Sequence, residues 1–287
     1  MKSTLLEQII LRTVDLPSMP AVAAKVMAIA DSNLVSIAEL EETITKDHAF
    51  STRLLRIANS GFYKRNRQID TVSTAMMIIG FGPMKSLAVA TSMKDLMSRS
   101  GPVETMLWLH SFGVSIAASL LAVETGLVPA EEALVAGLVH DVGKTVINNS
   151  IPDRYAPLLV RPYETGISSV EIENGALGFN HCQVGGLMAR KWKLPVTLEH
   201  VIEYHHLEAG LEADDQSSEM LCQLVAVADA LCLKVGVGMP PVPNVQVPMD
   251  VLGISPRLSM ESPSGSVRDS SRSRRTCPDR LRRLNLC

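Results

Sequence analysis

Apolar residues recur at three- and four-residue intervals along most of this chain. Ser18 and Pro20 are helix-start residues, and Val22, Val26 and Ile29 after them share one helical face. Ser36-Ile37-Ala38-Glu39 is a capping box, and Ile37, Leu40 and Ile44 continue a second stripe. Phe50, Leu54, Leu55 and Ala58 form a third, closed by Asn59-Ser60-Gly61, residue types that cap and turn. A basic loop follows, Lys64-Arg65-Asn66-Arg67. Val72, Ala75, Met76 and Ile79 then form a stripe stopped by Gly80 and Gly82-Pro83. The pattern predicts five or six short helices over residues 1–100. No run alternates in the manner of a half-buried strand, so no sheet is expected.

Ser98 to Pro102 is a Ser/Gly/Pro break, taken as the boundary between two helical halves. Beyond it the spacing predicts helices over about 104–125, 130–141, 168–178, 181–192, 195–206 and 217–235. Pro129 and Pro195 sit near helix starts, and Ser168-Ser169-Val170-Glu171 is a further capping box. Residues 239–248 hold four prolines, and 257–287 are rich in Ser and Arg with little apolar periodicity, so order is expected to fade there. The predicted architecture is all-α: an N-terminal helical half over 1–100, a larger helical half over 101–240, and a Pro-rich linker with a disordered tail over 241–287.

Composition agrees with helix packing: 46% of residues are hydrophobic but only 4% aromatic. The net charge of −3 is unevenly placed, because residues 257–287 hold eight Arg against three acidic residues. The rest of the chain is therefore acidic, which argues against a broad nucleic-acid surface. Five cysteines without a C-x-x-C pair suggest neither a disulfide framework nor a thiolate zinc site, and point to a reducing cytoplasm. Glu7, Arg12 and Asp15 interrupt any N-terminal apolar run, against a signal peptide. Met106 to Val123 carries no formal charge over eighteen residues, the lower limit for a membrane span. Ser111, Ser115 and Ser119 repeat on one face of it, however, so the stretch is read as a buried helix with a small-residue seam and no membrane is expected.

The chemistry lies in the second half. His110, His140-Asp141, His181, His205-His206 and Asp229 stand in or beside apolar runs such as Ala-Leu-Val-Ala-Gly-Leu-Val before His140. A carboxylate amid that much aliphatic surface is costly unless it is paired or bound to metal. The seven side chains are therefore expected to converge in one cavity around one or two divalent ions. Imidazole and carboxylate donors suit iron, manganese, nickel or zinc. Asp141 can bridge two ions, and Lys144 is placed to attract phosphate oxygens, which makes Asp141 and Lys144 the candidate catalytic pair. His200 is expected at the surface, and Trp108 and Trp192 as core anchors.

Gly137-Leu138-Val139-His140-Asp141-Val142-Gly143-Lys144 resembles the signature of the HD superfamily of metal-dependent phosphohydrolases. Leu177-Gly178-Phe179-Asn180-His181-Cys182-Gln183-Val184-Gly185, Trp192-Lys193-Leu194-Pro195 and Tyr204-His205-His206 resemble its HDOD subfamily. The first half is similar too, through Leu16-Pro17-Ser18-Met19-Pro20, Leu54-Leu55-Arg56-Ile57-Ala58-Asn59-Ser60 and Ala75-Met76-Met77-Ile78-Ile79-Gly80. The resemblance covers about residues 10–240. It implies an HD-superfamily helical bundle in a bacterial cytoplasmic signalling protein. It also implies one metal at His110, His140, Asp141 and Asp229, and a second at Asp141, His181, His205 and His206.

Leu207-Glu208-Ala209-Gly210 stands where the cyclic-dinucleotide phosphodiesterase branch has Gly-Tyr-Pro, so that activity is not expected. In Lys46-Asp47-His48-Ala49 a His replaces a frequent Pro, a change expected only to alter a helix start. Two readings follow. One is a regulator that binds a signalling protein partner or a nucleotide-type ligand; the other is a phosphohydrolase acting on a nucleotide or another phosphoester.

Overall fold

The computed structural model describes residues 22, 25, 26, 37–59, 68–80, 84, 88, 101–207 and 216–252. Every regular element among them is helical. Ser18, Pro20, Ser36, the Lys64–Arg67 loop, the Gly82-Pro83 stop and the 257–287 tail lie outside the described residues.

The smaller, N-terminal unit contains α1 (Ile37–Lys46), α2 (His48–Ala58) and α3 (Val72–Ile79). Leu40 and Ile44 of α1, Phe50, Leu54 and Ala58 of α2, and Ala75, Met76 and Ile79 of α3 form one core with Val22 and Val26, as the i, i+3/i+4 spacing predicts. Asp47 Oδ1 accepts the Phe50 N–H (2.9 Å) and caps α2, with His48 in the first helical position. The histidine thus sits at the helix start, the position where proline is most easily tolerated. Asn59 accepts from the Ile69 N–H and donates to the Ile69 carbonyl, so its amide ties the end of α2 to the residues just before α3.

The larger unit, α4 to α11, has its own core. Its elements are α4 (Pro102–Thr125), α5 (Ala130–Val139), α6 (Val142–Ser150), α7 (Pro152–Thr165), α8 (Ser169–Leu177), α9 (His181–Lys191), α10 (Val196–Tyr204) and α11 (Gln216–Val235). The small-residue seam is present: Ser111 and Ser115 are buried, and a Cβ on Gly137 of α5 would come within 2.8 Å of the Ser115 Cα. Helix α4 is long and apolar enough to cross a membrane by length and composition, with 44% of its most apolar window buried. Its buried face packs against α5 and α11.

The helix expected over 130–141 ends at Val139, and a break at His140-Asp141 starts α6. Neither α6 nor α7 was expected. Val142 to Asn148 are buried without exception, so the segment has no polar face to show a period, and α7 carries Pro157 and Pro162, which read as breakers. The Pro-rich stretch also differs from the expected linker. It runs back along the body with Met239, Met249 and Leu252 buried, Val242 N–H donating to the Leu233 carbonyl, and the Tyr163 hydroxyl on Met239 Sδ. Trp192 is buried, whereas Trp108 is half-buried and stacks on exposed Phe112. His200 is also half-buried, packed on Tyr204, with its Nε2 enclosed and lacking a hydrogen-bond partner.

Candidate metal centre

Six elements deliver the predicted side chains to one place. His110 projects from the buried face of α4, in register with Leu107 and Val114. His140 ends α5 and Asp141 begins α6, so the break between these helices turns two adjacent side chains into the same space. Lys144 lies in the first turn of α6. His181 opens α9, fixed by a capping box between Asn180 and Gln183. His205 and His206 follow the last turn of α10, where Leu207 takes a left-handed conformation (φ 54°). Asp229 sits midway along α11 among buried aliphatic residues.

Asp141 is the hub. One carboxylate oxygen, Oδ1, lies 3.3 Å from His181 Nε2 and 3.5 Å from His205 Nε2. The other, Oδ2, lies 2.8 Å from Lys144 Nζ, 3.4 Å from His140 Nε2 and 3.8 Å from His110 Nε2. Asp229 Oδ1 is 2.9 Å from His110 Nε2 and 3.8 Å from His140 Nε2. His206 joins through its Nε2, 3.0 Å from His181 Nε2. All seven expected residues and Lys144 are therefore brought together.

Hydrogen bonds to the far ring nitrogens set how these imidazoles present themselves. His140 Nδ1 donates to the Gly137 carbonyl (2.8 Å), His205 Nδ1 to the Val201 carbonyl (3.1 Å) and His110 Nδ1 to the Val237 carbonyl (3.3 Å). A carbonyl only accepts, so the proton is on Nδ1, and in neutral His140 and His205 the Nε2 lone pair faces the centre. His140 Nε2, His205 Nε2 and Asp141 Oδ1 are all buried without a hydrogen-bond partner. A buried polar group left unsatisfied costs about 1–3 kcal/mol, and here three converge as electron-rich atoms. Such an arrangement is capable of coordinating a metal ion.

Ionisation follows the same geometry. Burial alone would raise the Asp141 carboxyl, but Lys144 and His140 outweigh it and hold it well below the ordinary carboxylate range. Asp229 is lowered as well, because its hydrogen bond and ion pair with His110 overcome burial. Burial would also lower His110, yet Asp229 and Asp141 raise it on balance. His140 goes the other way, since its desolvation exceeds the pull of Asp141. Burial, reinforced by His205 and His181, pushes His206 well below the usual histidine range. Burial is likewise outweighed at Lys144, where Asp141 and Asp229 keep the ammonium charged.

Glu173, which the sequence reading missed, anchors the second half of the cluster. Its Oε2 accepts both His181 Nδ1–H and the His181 backbone N–H at 2.7 Å, and its Oε1 accepts the Tyr155 hydroxyl at 2.6 Å. The available signal was a carboxylate on the apolar stripe of Val170 and Leu177. Cys182 was also passed over. Its Sγ forms a group with one nitrogen each of His181, His205 and His206, with all four atoms within 4.8 Å of one another. The cluster meets a cavity of about 310 Å³ that touches Lys144, His205, His206 and Asp229, as well as residues 166–169, Val242 and residues 244–246.

Residues 16–208 match the HDOD domain family. The chain is 25% identical to an HDOD domain protein of unknown function from Geobacter sulfurreducens. Their structures superpose with a TM-score of 0.66 over 86% of this chain and 84% of that one. A candidate phosphohydrolase from Shewanella amazonensis SB2B shares the fold at 22% identity and a TM-score of 0.59, over 79% and 80% of the two chains. An uncharacterized protein of Treponema pallidum (strain Nichols) is 23% identical over 197 residues, which make up 67% of this chain and 38% of that longer relative.

Proposed function

The chain belongs to the HDOD domain family, and from that premise we propose that it is a bacterial signal-transduction protein whose larger helical unit is completed by divalent metal and acts by binding a protein partner. The observation that carries the metal reading is the convergence of His140 Nε2, His205 Nε2 and Asp141 Oδ1, all buried and unpaired. His110, His140, Asp141 and Asp229 would hold one ion; Asp141, His181, His205 and His206 would hold a second. Donors from helices α4, α9 and α11 and from the α5–α6 and post-α10 breaks then share one centre, so occupancy ties these helices together. Iron, manganese, nickel and zinc suit this donor set.

Metal analysis of the purified protein, with thermal unfolding before and after chelation, tests this reading. Bound metal, or stabilisation by one of the four ions that Asp141→Ala abolishes, is expected. A metal-free protein indifferent to all four would refute it.

A second reading, phosphoester hydrolysis, is favoured by the cavity that brings Lys144, His205, His206 and Asp229 to one opening. A divalent ion there would supply Lewis acidity toward a phosphoryl oxygen. Lys144 would hold its positive charge against the phosphate, and Asp141 would orient the surrounding imidazoles. Turnover of nucleotide or other phosphoester substrates, lost in Lys144→Ala and Asp141→Ala, would support this reading. Stoichiometric metal without turnover would leave the regulator.

A further inference from the structure

Resting on the reading that the cluster holds metal, we infer that Cys182 is a ligand of its second position, which makes that position a thiolate site for a zinc-class cation. Three observations carry this. The Cys182 Sγ and one nitrogen each of His181, His205 and His206 form a single group within 4.8 Å. His205 Nε2, fully enclosed and without a hydrogen-bond partner, belongs to the residues of that group. Glu173 takes the Nδ1 proton of His181, so His181 Nε2 faces His206 Nε2 at 3.0 Å and is set to donate its lone pair. Two dipeptides, His181-Cys182 and His205-His206, thereby bring three imidazoles and one sulfur together.

The two halves of the cluster then differ in chemistry. The half formed by His110, His140, Asp141 and Asp229 offers only nitrogen and carboxylate oxygen. A sulfur donor in the other half selects for zinc or cobalt over manganese and magnesium. Cys182 occupies the first turn of α9, the positive end of the helix dipole, which favours negative charge. On binding, the Cys182 S–H bond breaks, the sulfur keeps the electron pair as donor, and the proton passes to solvent. Cys182 and His206 also line a second cavity, of about 240 Å³, together with Asn180, Gln183, Glu203 and Tyr204. That cavity gives small reagents a route to the sulfur.

The test is titration of the full chain with cobalt(II). A near-ultraviolet thiolate-to-cobalt charge-transfer band should grow in step with binding. It should vanish in Cys182→Ser and survive in Cys222→Ser, Cys232→Ser, Cys277→Ser and Cys287→Ser. Zinc affinity in Cys182→Ser should fall by at least about tenfold, the scale on which supporting groups of metal sites act. Should that variant fail to fold, alkylation of the wild-type protein gives the second readout: zinc should slow modification of Cys182 by at least about tenfold, because a coordinated thiolate is a blocked nucleophile. Cobalt binding without the band, a band that persists in Cys182→Ser, or unprotected Cys182 in the zinc-loaded protein would overturn the assignment while leaving the cluster itself intact. Failure of both cobalt and zinc to bind would overturn the assignment too, and, joined to indifference to iron, manganese and nickel, the metal reading as well.

Discussion

Gly143→Ala tests how the two halves of the centre are held together without altering a ligand. Helix α6 carries Asp141 and Lys144 at its start, and α9 carries His181; the two helices touch at Gly143. A Cβ on Gly143 would lie 1.9 Å from the His181 carbonyl oxygen and 2.9 Å from the Gly185 nitrogen. These are backbone atoms, so no side chain can rotate away. Reaching ordinary contact requires the helices to part by about 1.5 Å. Metal–ligand distances tolerate deviations of only about 0.2 Å, whereas His181 Nε2 now stands 3.3 Å from Asp141 Oδ1. A shift of that size would detach the His181 side of the cluster from Asp141. Overpacking of this kind costs about 1–3 kcal/mol, and the backbone clash places Gly143→Ala at the upper end. For a unit of this size the melting temperature should then fall by about 6–12 °C. Metal stoichiometry, measured by elemental analysis after dialysis, should drop, with the ion at His110, His140 and Asp229 retained better than its neighbour. A variant with wild-type melting temperature and full stoichiometry would refute the claim that this contact sets the geometry of the centre.

Glu173→Gln keeps the size but weakens the acceptor that fixes His181; chelator competition should show about 10–100-fold weaker metal binding, and unchanged affinity would remove Glu173 from the centre. Metal at a hundredfold excess over its dissociation constant should stabilise the wild-type chain by about 2.7 kcal/mol; calorimetry of Asp141→Ala should show no such gain, and an equal gain would disprove the role of Asp141 as hub. Burial pushes the Cys222 and Cys232 thiols up to about 12, helped by Glu219 and Asp229 respectively. Their folded values exceed the ordinary thiol value of 9.0, so this contribution to stability is complete below that value and is lost as pH rises toward 12. The urea midpoint should fall between about pH 9 and about pH 12, and less steeply in Cys222→Ala/Cys232→Ala; equal slopes would contradict it.

Much of the second half was legible because its helices are buried on one side. Ser168 accepts the Glu171 N–H at the start of α8 as its capping box predicts, and α9 begins at His181 under a capping box of its own. The metal-ligand candidates were legible for a related reason: Asp229 and His110 interrupt apolar runs, and such a position needs a partner. Helix α6 escaped because it is buried on every side, and α7 because its internal prolines read as stops. Cys182 escaped because its neighbours in the site come from His205 and His206, more than twenty residues away, with no spacing that marks a zinc motif.

The sequence by itself determined that the chain is helical, where most caps and stripes fall, and which polar side chains cannot remain unpaired in a core. These are local properties, decided by residues three or four positions apart. Only the tertiary structure decided that α5 breaks at His140-Asp141 so that both side chains face one centre, that Glu173 holds His181, and that the Pro-rich stretch returns to bury Met239, Met249 and Leu252. Each depends on segments far apart in the chain meeting at close range, and a contact of that kind leaves no period in either segment alone.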